Sequence, residues 1–147
     1  KENRAEFRAE IKTEAGTRIK AHLERMLDRI GGAIDSFVTI LDRVNNKIAE
    51  LEAEGIDAAI ATRASLQAET SIDAAATALV DARATFTRVL DSDNPREHME
   101  EVRAAVRSAS EAVKVAHRSL KDAVQTLKTL IRSISADVNA DAQITTE

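Results

Sequence analysis

The side chains in this sequence best suited to chemistry are three histidines and a scatter of carboxylates. His22, His98 and His117 stand far apart, none has a second histidine at i+3 or i+4, and no Glu-x-x-His occurs. The ligand set of a di-iron bundle is therefore missing. No Gly-x-Ser-x-Gly, Ser-x-x-Lys or glycine-rich phosphate loop is present. The sequence has no cysteine, which excludes disulfides, thiolate zinc sites and a cysteine nucleophile. Asp91, Asp93 and Asn94 form a short acidic run without the glycine and closing glutamate of a calcium loop. Turn formation and helix capping account for them. The expectation is no catalytic residue, no cofactor and no metal: a chain that is not an enzyme. Weak divalent-cation binding through its acidic rows is retained as an alternative.

The elements that would position any site are helices. Hydrophobic residues make up 44% of the 147, charged residues 31% and aromatics 2%, the last being Phe7, Phe37 and Phe86. There are 27 alanines against four glycines and one proline, and alanine is the best helix former. In the first segment Ile19, Leu23, Met26, Ile30, Ile34, Phe37, Leu41, Val44, Ile48 and Leu51 are spaced 4-3-4-4-3-4-3-4-3. That is a heptad seam with one stutter, at Ile30–Ile34. Phe7, Ile11 and Ala15 continue it upstream. The spacing predicts a helix over about residues 2–54, roughly 80 Å long. Gly31-Gly32 interrupts it, but the seam keeps its phase across the pair, which favours a continuous helix. The alternative is a break there and a four-helix chain.

Glu54-Gly55-Ile56-Asp57 reads as a helix stop and restart, with Gly55 left-handed and Asp57 as N-cap. A second helix over about 58–90 has the seam Ile72, Ala75, Leu79, Ala82, Phe86 and Val89. Asn94-Pro95-Arg96-Glu97 then signals a start: N-cap Asn, Pro at the first helical position, Glu at the third. The third helix is predicted over about 95–136. Its seam is Met99, Val102, Val106, Ala109, Val113, Ala116, Leu120, Val124, Leu127, Ile131 and Ile134, with a stutter at Ala116-Leu120-Val124. A second row, Ala105, Ala112, Ala123 and Leu130, implies contact with two neighbours. Residues 137–147 read as a polar, frayed tail.

These elements imply an all-α, up-down-up bundle of three long helices with coiled-coil-like packing over residues 1–136. The second helix is roughly 30 Å shorter than the first. The first helix should therefore project beyond the bundle with Phe7, Ile11 and Ile19, apolar residues that invite a partner, either a second copy or another helical protein.

The net charge of −4 comes from 21 basic and 25 acidic residues, a balance that argues against bulk nucleic-acid binding. No stretch approaches the length of a membrane span, and no signal peptide is evident. The start at Lys1, without Met, fits either an excised segment or a mature chain freed of a leader. On the third helix Arg103, Arg107, Lys114, Arg118, Lys121, Lys128 and Arg132 fall within about 80° of one another on the helical wheel, beside the seam. They are expected to cover apolar surface and reach acids on a neighbouring helix. An anionic surface is the alternative target. The first helix has a basic row (Arg18, Arg25, Arg29, Arg43, Lys47) and an acidic row (Glu6, Glu10, Glu24, Asp28, Asp35, Asp42). The acidic row should lie nearly opposite the seam, solvated or docked on the basic ridge of another copy.

The runs Arg43–Asp57 (RVNNKIAELEAEGID) and Glu97–Lys128 (EHMEEVRAAVRSASEAVKVAHRSLKDAVQTLK) resemble uncharacterised, predicted-secreted helical coiled-coil proteins of small-genome candidate-phylum bacteria. The resemblance spans half to two-thirds of the chain and supplies no activity or functional residue. It implies an extracytoplasmic location (periplasmic, cell-surface or secreted) and a structural or protein-interaction role.

Overall fold

The computed structural model describes residues 2–146, with side chains from 16 to 138. It contains α1 (Glu2–Ala53), α2 (Ala59–Leu90) and α3 (Met99–Thr146), each packed on the other two as an up-down-up bundle. No strand occurs among the described residues.

α1 is unbroken through Gly31-Gly32, so the four-helix alternative is excluded. Both glycines keep ordinary helical backbone, and among the described residues Gly55 alone has positive φ. A Cβ on Gly31 would stand 3.3 Å from the Arg83 guanidinium and 3.5 Å from a Leu79 methyl, whereas one on Gly32 would meet nothing. Gly31 thus faces α2 at a point where two of its side chains cover α1, and Gly32 faces away.

α1 ends in a Schellman turn. Gly55 N–H donates to Glu52 O (2.9 Å), and Ile56 N–H donates to Leu51 O (3.0 Å). Gly55 sits at φ 83°. This is the double bond that a left-handed C′ residue permits, and Ile56 folds back on the same apolar cluster as Leu51. Asp57 Oδ1 accepts from Ala59 N–H (3.1 Å), but the N-cap of α2 is Ala58 and not the expected Asp57, and no side-chain capping bond is made there.

The other link differs from expectation. α3 starts at Met99, not Pro95, and continues to Thr146 rather than stopping near Ala136. Between Asn94 and Glu101 the backbone makes i→i+3 bonds, Asn94 O with Glu97 N–H, Arg96 O with Met99 N–H and His98 O with Glu101 N–H. Among the described residues no capping bond from the Asn94 side chain is present. These tighter turns bring Glu101 within reach of Arg88 on α2 (2.6 Å).

The buried seams are more regular than the sequence suggests. On α1, Leu27 is 3% exposed while Met26 is only half-buried. From Leu23 to Leu51 the buried residues therefore run 4-3 without a stutter. On α3, Ala123 is fully buried and Val124 half-buried, which removes the second stutter. In both cases the expected register followed the wrong member of an adjacent pair.

The three interfaces use different chemistry. The α2–α3 contact, the most extensive, is built from small residues: Ala68, Ala75 and Ala82 against Ala109, Ala116 and Ala123, all essentially inaccessible. Small side chains let helix axes approach. α1 then fills the remaining groove with Leu23, Leu27, Ile30, Ile34, Phe37 and Leu41. Its Phe37 ring meets that of His117 on α3 at 5.9 Å between centroids. Ser65 and Ser119 are the buried polar residues among those described, and both are satisfied. The Ser65 hydroxyl donates to Asn45 Oδ1, and that of Ser119 pairs with Ser71 (2.9 Å).

Candidate functional site

The expected contact residues separate at the start of α1. The side chains of Phe7 and Ile11 lie outside the described residues. Ile19 does not belong to an overhang. It is half-buried on the core and lines a groove with Leu90, Pro95 and Met99. The expectation overlooked the loop between α2 and α3, which reaches down to the level of Gly16–Lys20. α1 runs on past that loop to Glu2. At the opposite end Asp57 and Ile60 lie level with Thr129 and Ser133, and α3 runs on past them to Thr146.

Arg103, Arg107, Lys114, Arg118, Lys121, Lys128 and Arg132 are all exposed, as a ridge beside the seam requires. They do not reach acids across helices. Arg103 pairs with Glu100 (3.1 Å) and Lys114 with Glu111 (3.3 Å), both on α3 itself. Arg107, Arg118, Lys121, Lys128 and Arg132 make no ion pair among the described residues. The cross-helix pairs belong instead to α2, as Arg83–Asp28 (3.6 Å) and Arg88–Glu101. Bonds from Arg88 and then His98 hold the Glu101 carboxyl below its ordinary value.

The ridge faces α1. Arg103, Arg107 and Lys114 line a groove of about 360 Å³ with His22, Leu23 and Met26 of α1. By helical rotation the basic row of α1 (Arg18, Arg25, Arg29, Arg43, Lys47) lies on the outer edge of the same side. The acidic row takes the other side. Glu24 and Asp28 line a groove with Arg83 and Phe86 of α2, so this part of the row leans toward α2 on the outward side of α1. Asp35 and Asp42 follow Asp28 at heptad spacing. Glu69 and Asp73 of α2 extend the acidic side, one and two turns beyond Ser65, the residue that meets Asn45 of α1. Lys20 and Arg83 are the cations in the groove lined by Glu24 and Asp28. A chain of near-neutral balance thus has one basic long face, between α1 and α3, and one acidic long face, between α1 and α2.

No group of three or more metal-ligating side chains occurs among the described residues, and no described helix is long and apolar enough to cross a membrane. The class defined by these features is an all-α bundle of three long helices. Comparison with protein-family models, curated proteins and solved structures finds no match.

Proposed function

We propose that the chain is a non-enzymatic structural or protein-interaction module that acts outside the cytoplasm and associates with further copies of itself. The observation that carries this reading is the sorting of charge onto two separate long faces. Opposed charge patches steer encounter and fix register more than they add raw affinity, which suits a scaffold with repeated contacts. The unequal helix lengths support it too, since α1 and α3 extend past opposite ends of the bundle and leave helix surface for a partner. The extracytoplasmic part rests on the resemblance and on the absence of cysteine.

Sedimentation velocity of the purified chain over a concentration series tests the reading. The mass should rise with concentration. A monomer at every concentration and ionic strength would overturn it. Fractionation of producing cells should place the chain in the envelope or medium. The basic face favours a second reading, in which the module binds anionic surfaces or lipids. Flotation with anionic vesicles distinguishes it.

A further inference from the structure

We infer that copies associate side by side, without axial shift, through unlike faces: the basic α1–α3 face of one copy against the acidic α1–α2 face of the next. This deepens the self-association reading by naming the surfaces and their register.

The argument is one of matching repeats. Arg107, Lys114 and Lys121 recur every seven residues on α3, and Asp28, Asp35 and Asp42 recur every seven on α1. Each series therefore repeats about every 10.5 Å along its helix. Equal repeats alone would leave the axial offset free. The adjoining, tilted rings of Phe37 and His117 fix it, because they place those two residues at about one height. Counted at 1.5 Å per residue from that contact, the three cations lie level with the three aspartates to within about 2 Å. α1 and α3 run in the same direction. A neighbour moved sideways, with no turn end over end and no slide, thus brings each aspartate opposite a cation. An equally spaced series reads the same in both directions, so the match holds for either orientation of the neighbour, whereas sliding it by half a repeat destroys the match. The ordinary use of flanking charges, pairing with the adjacent helix of the same bundle, is not made by Arg107 or Lys121 among the described residues. Nor do Asp35 and Asp42 make an ion pair there. Both series are exposed. Because the two surfaces differ, the contact is heterologous: one dimer leaves a free basic face and a free acidic face, and growth continues unless the rotation closes a ring.

Two variants with neutralised faces test this. One is Arg107→Gln/Arg118→Gln/Lys121→Gln, and the other is Glu24→Gln/Asp35→Asn/Asp42→Asn. All six positions are exposed and without an ion pair among the described residues, so circular dichroism should show unchanged helix content and melting. At low ionic strength the wild-type chain should form species larger than dimers, and these should dissociate in about 1 M salt, where charge screening acts within about 3 Å. Each variant alone should require at least tenfold higher concentration to associate. An equimolar mixture should give a heterodimer and nothing longer, since only one intact basic face and one intact acidic face can meet. Undiminished association of either variant alone, or a mixture that stays monomeric, would overturn the inference. The first of these outcomes would leave self-association standing through another surface, such as the helix ends. Wild-type protein captured by phosphatidylglycerol vesicles, yet monomeric without them, would make an anionic surface the occupant of the basic face and overturn the inference as well.

Discussion

The Arg88 guanidinium lies 2.6 Å from a Glu101 carboxylate oxygen, and the other oxygen of that carboxylate lies 3.2 Å from His98. One carboxylate thereby ties the end of α2 to the start of α3 across the link between them. Its folded pKa is lowered below the ordinary value of 4.5, first by the Arg88 hydrogen bond and then by that of His98. A carboxylate lowered in this way stabilises the fold above its unfolded value, and the benefit is lost as pH falls through the lower folded value. Arg88→Ala should therefore reduce unfolding free energy near neutral pH. Urea titrations at descending pH should show that deficit shrinking below the ordinary carboxylate value. A deficit independent of pH would show that Arg88 contributes only packing.

Leu27, not Met26, fills the α1 seam, and truncation distinguishes them. Leu27→Ala should cost about 2–5 kcal/mol, the range for a buried leucine. Met26→Ala, at a half-buried position, should cost well under half of that. Chemical denaturation of the two variants decides the register of α1, and equal losses would contradict it.

Gly32→Ala should raise stability by up to about 1 kcal/mol, because the position is helical and its Cβ would meet nothing. Gly31→Ala gains the same helix propensity but crowds the Arg83 guanidinium at 3.3 Å, so its net gain should be smaller. Thermal melts in parallel provide the comparison, and a larger gain at Gly31 would overturn the close approach there.

The α2–α3 contact should tolerate enlargement poorly. Ala75 is completely buried in a surface made mainly of other alanines. Ala75→Leu should cost about 1–3 kcal/mol or more by forcing the axes apart. Ala74→Leu, at an exposed neighbouring position, should leave stability nearly unchanged. Matched denaturation curves check the pair.

The heptad spacing and the scarcity of glycine and proline make the helices and their order legible in the sequence. The Gly55 turn was equally clear, since a left-handed C′ glycine followed by an apolar residue has few other uses. Register was read less well. Met26 beside Leu27 and Val124 beside Ala123 offer two phases of similar hydrophobicity, and only the width of the facing helix selects one. The start of α3 was misplaced because i→i+3 turns compete with a full cap at Asn94. The cations of α3 were found as a ridge, yet their partners were not. Helical spacing specifies the side a residue lies on but not which neighbour that side faces.

The unequal ends have a consequence for assembly. α1 outruns the bundle at one end and α3 at the other, so turning the molecule over does not restore it. Any array of aligned copies would carry this arrow through its whole length. In a side-by-side array the two long edges would therefore differ, one carrying the free ends of α1 and the other those of α3.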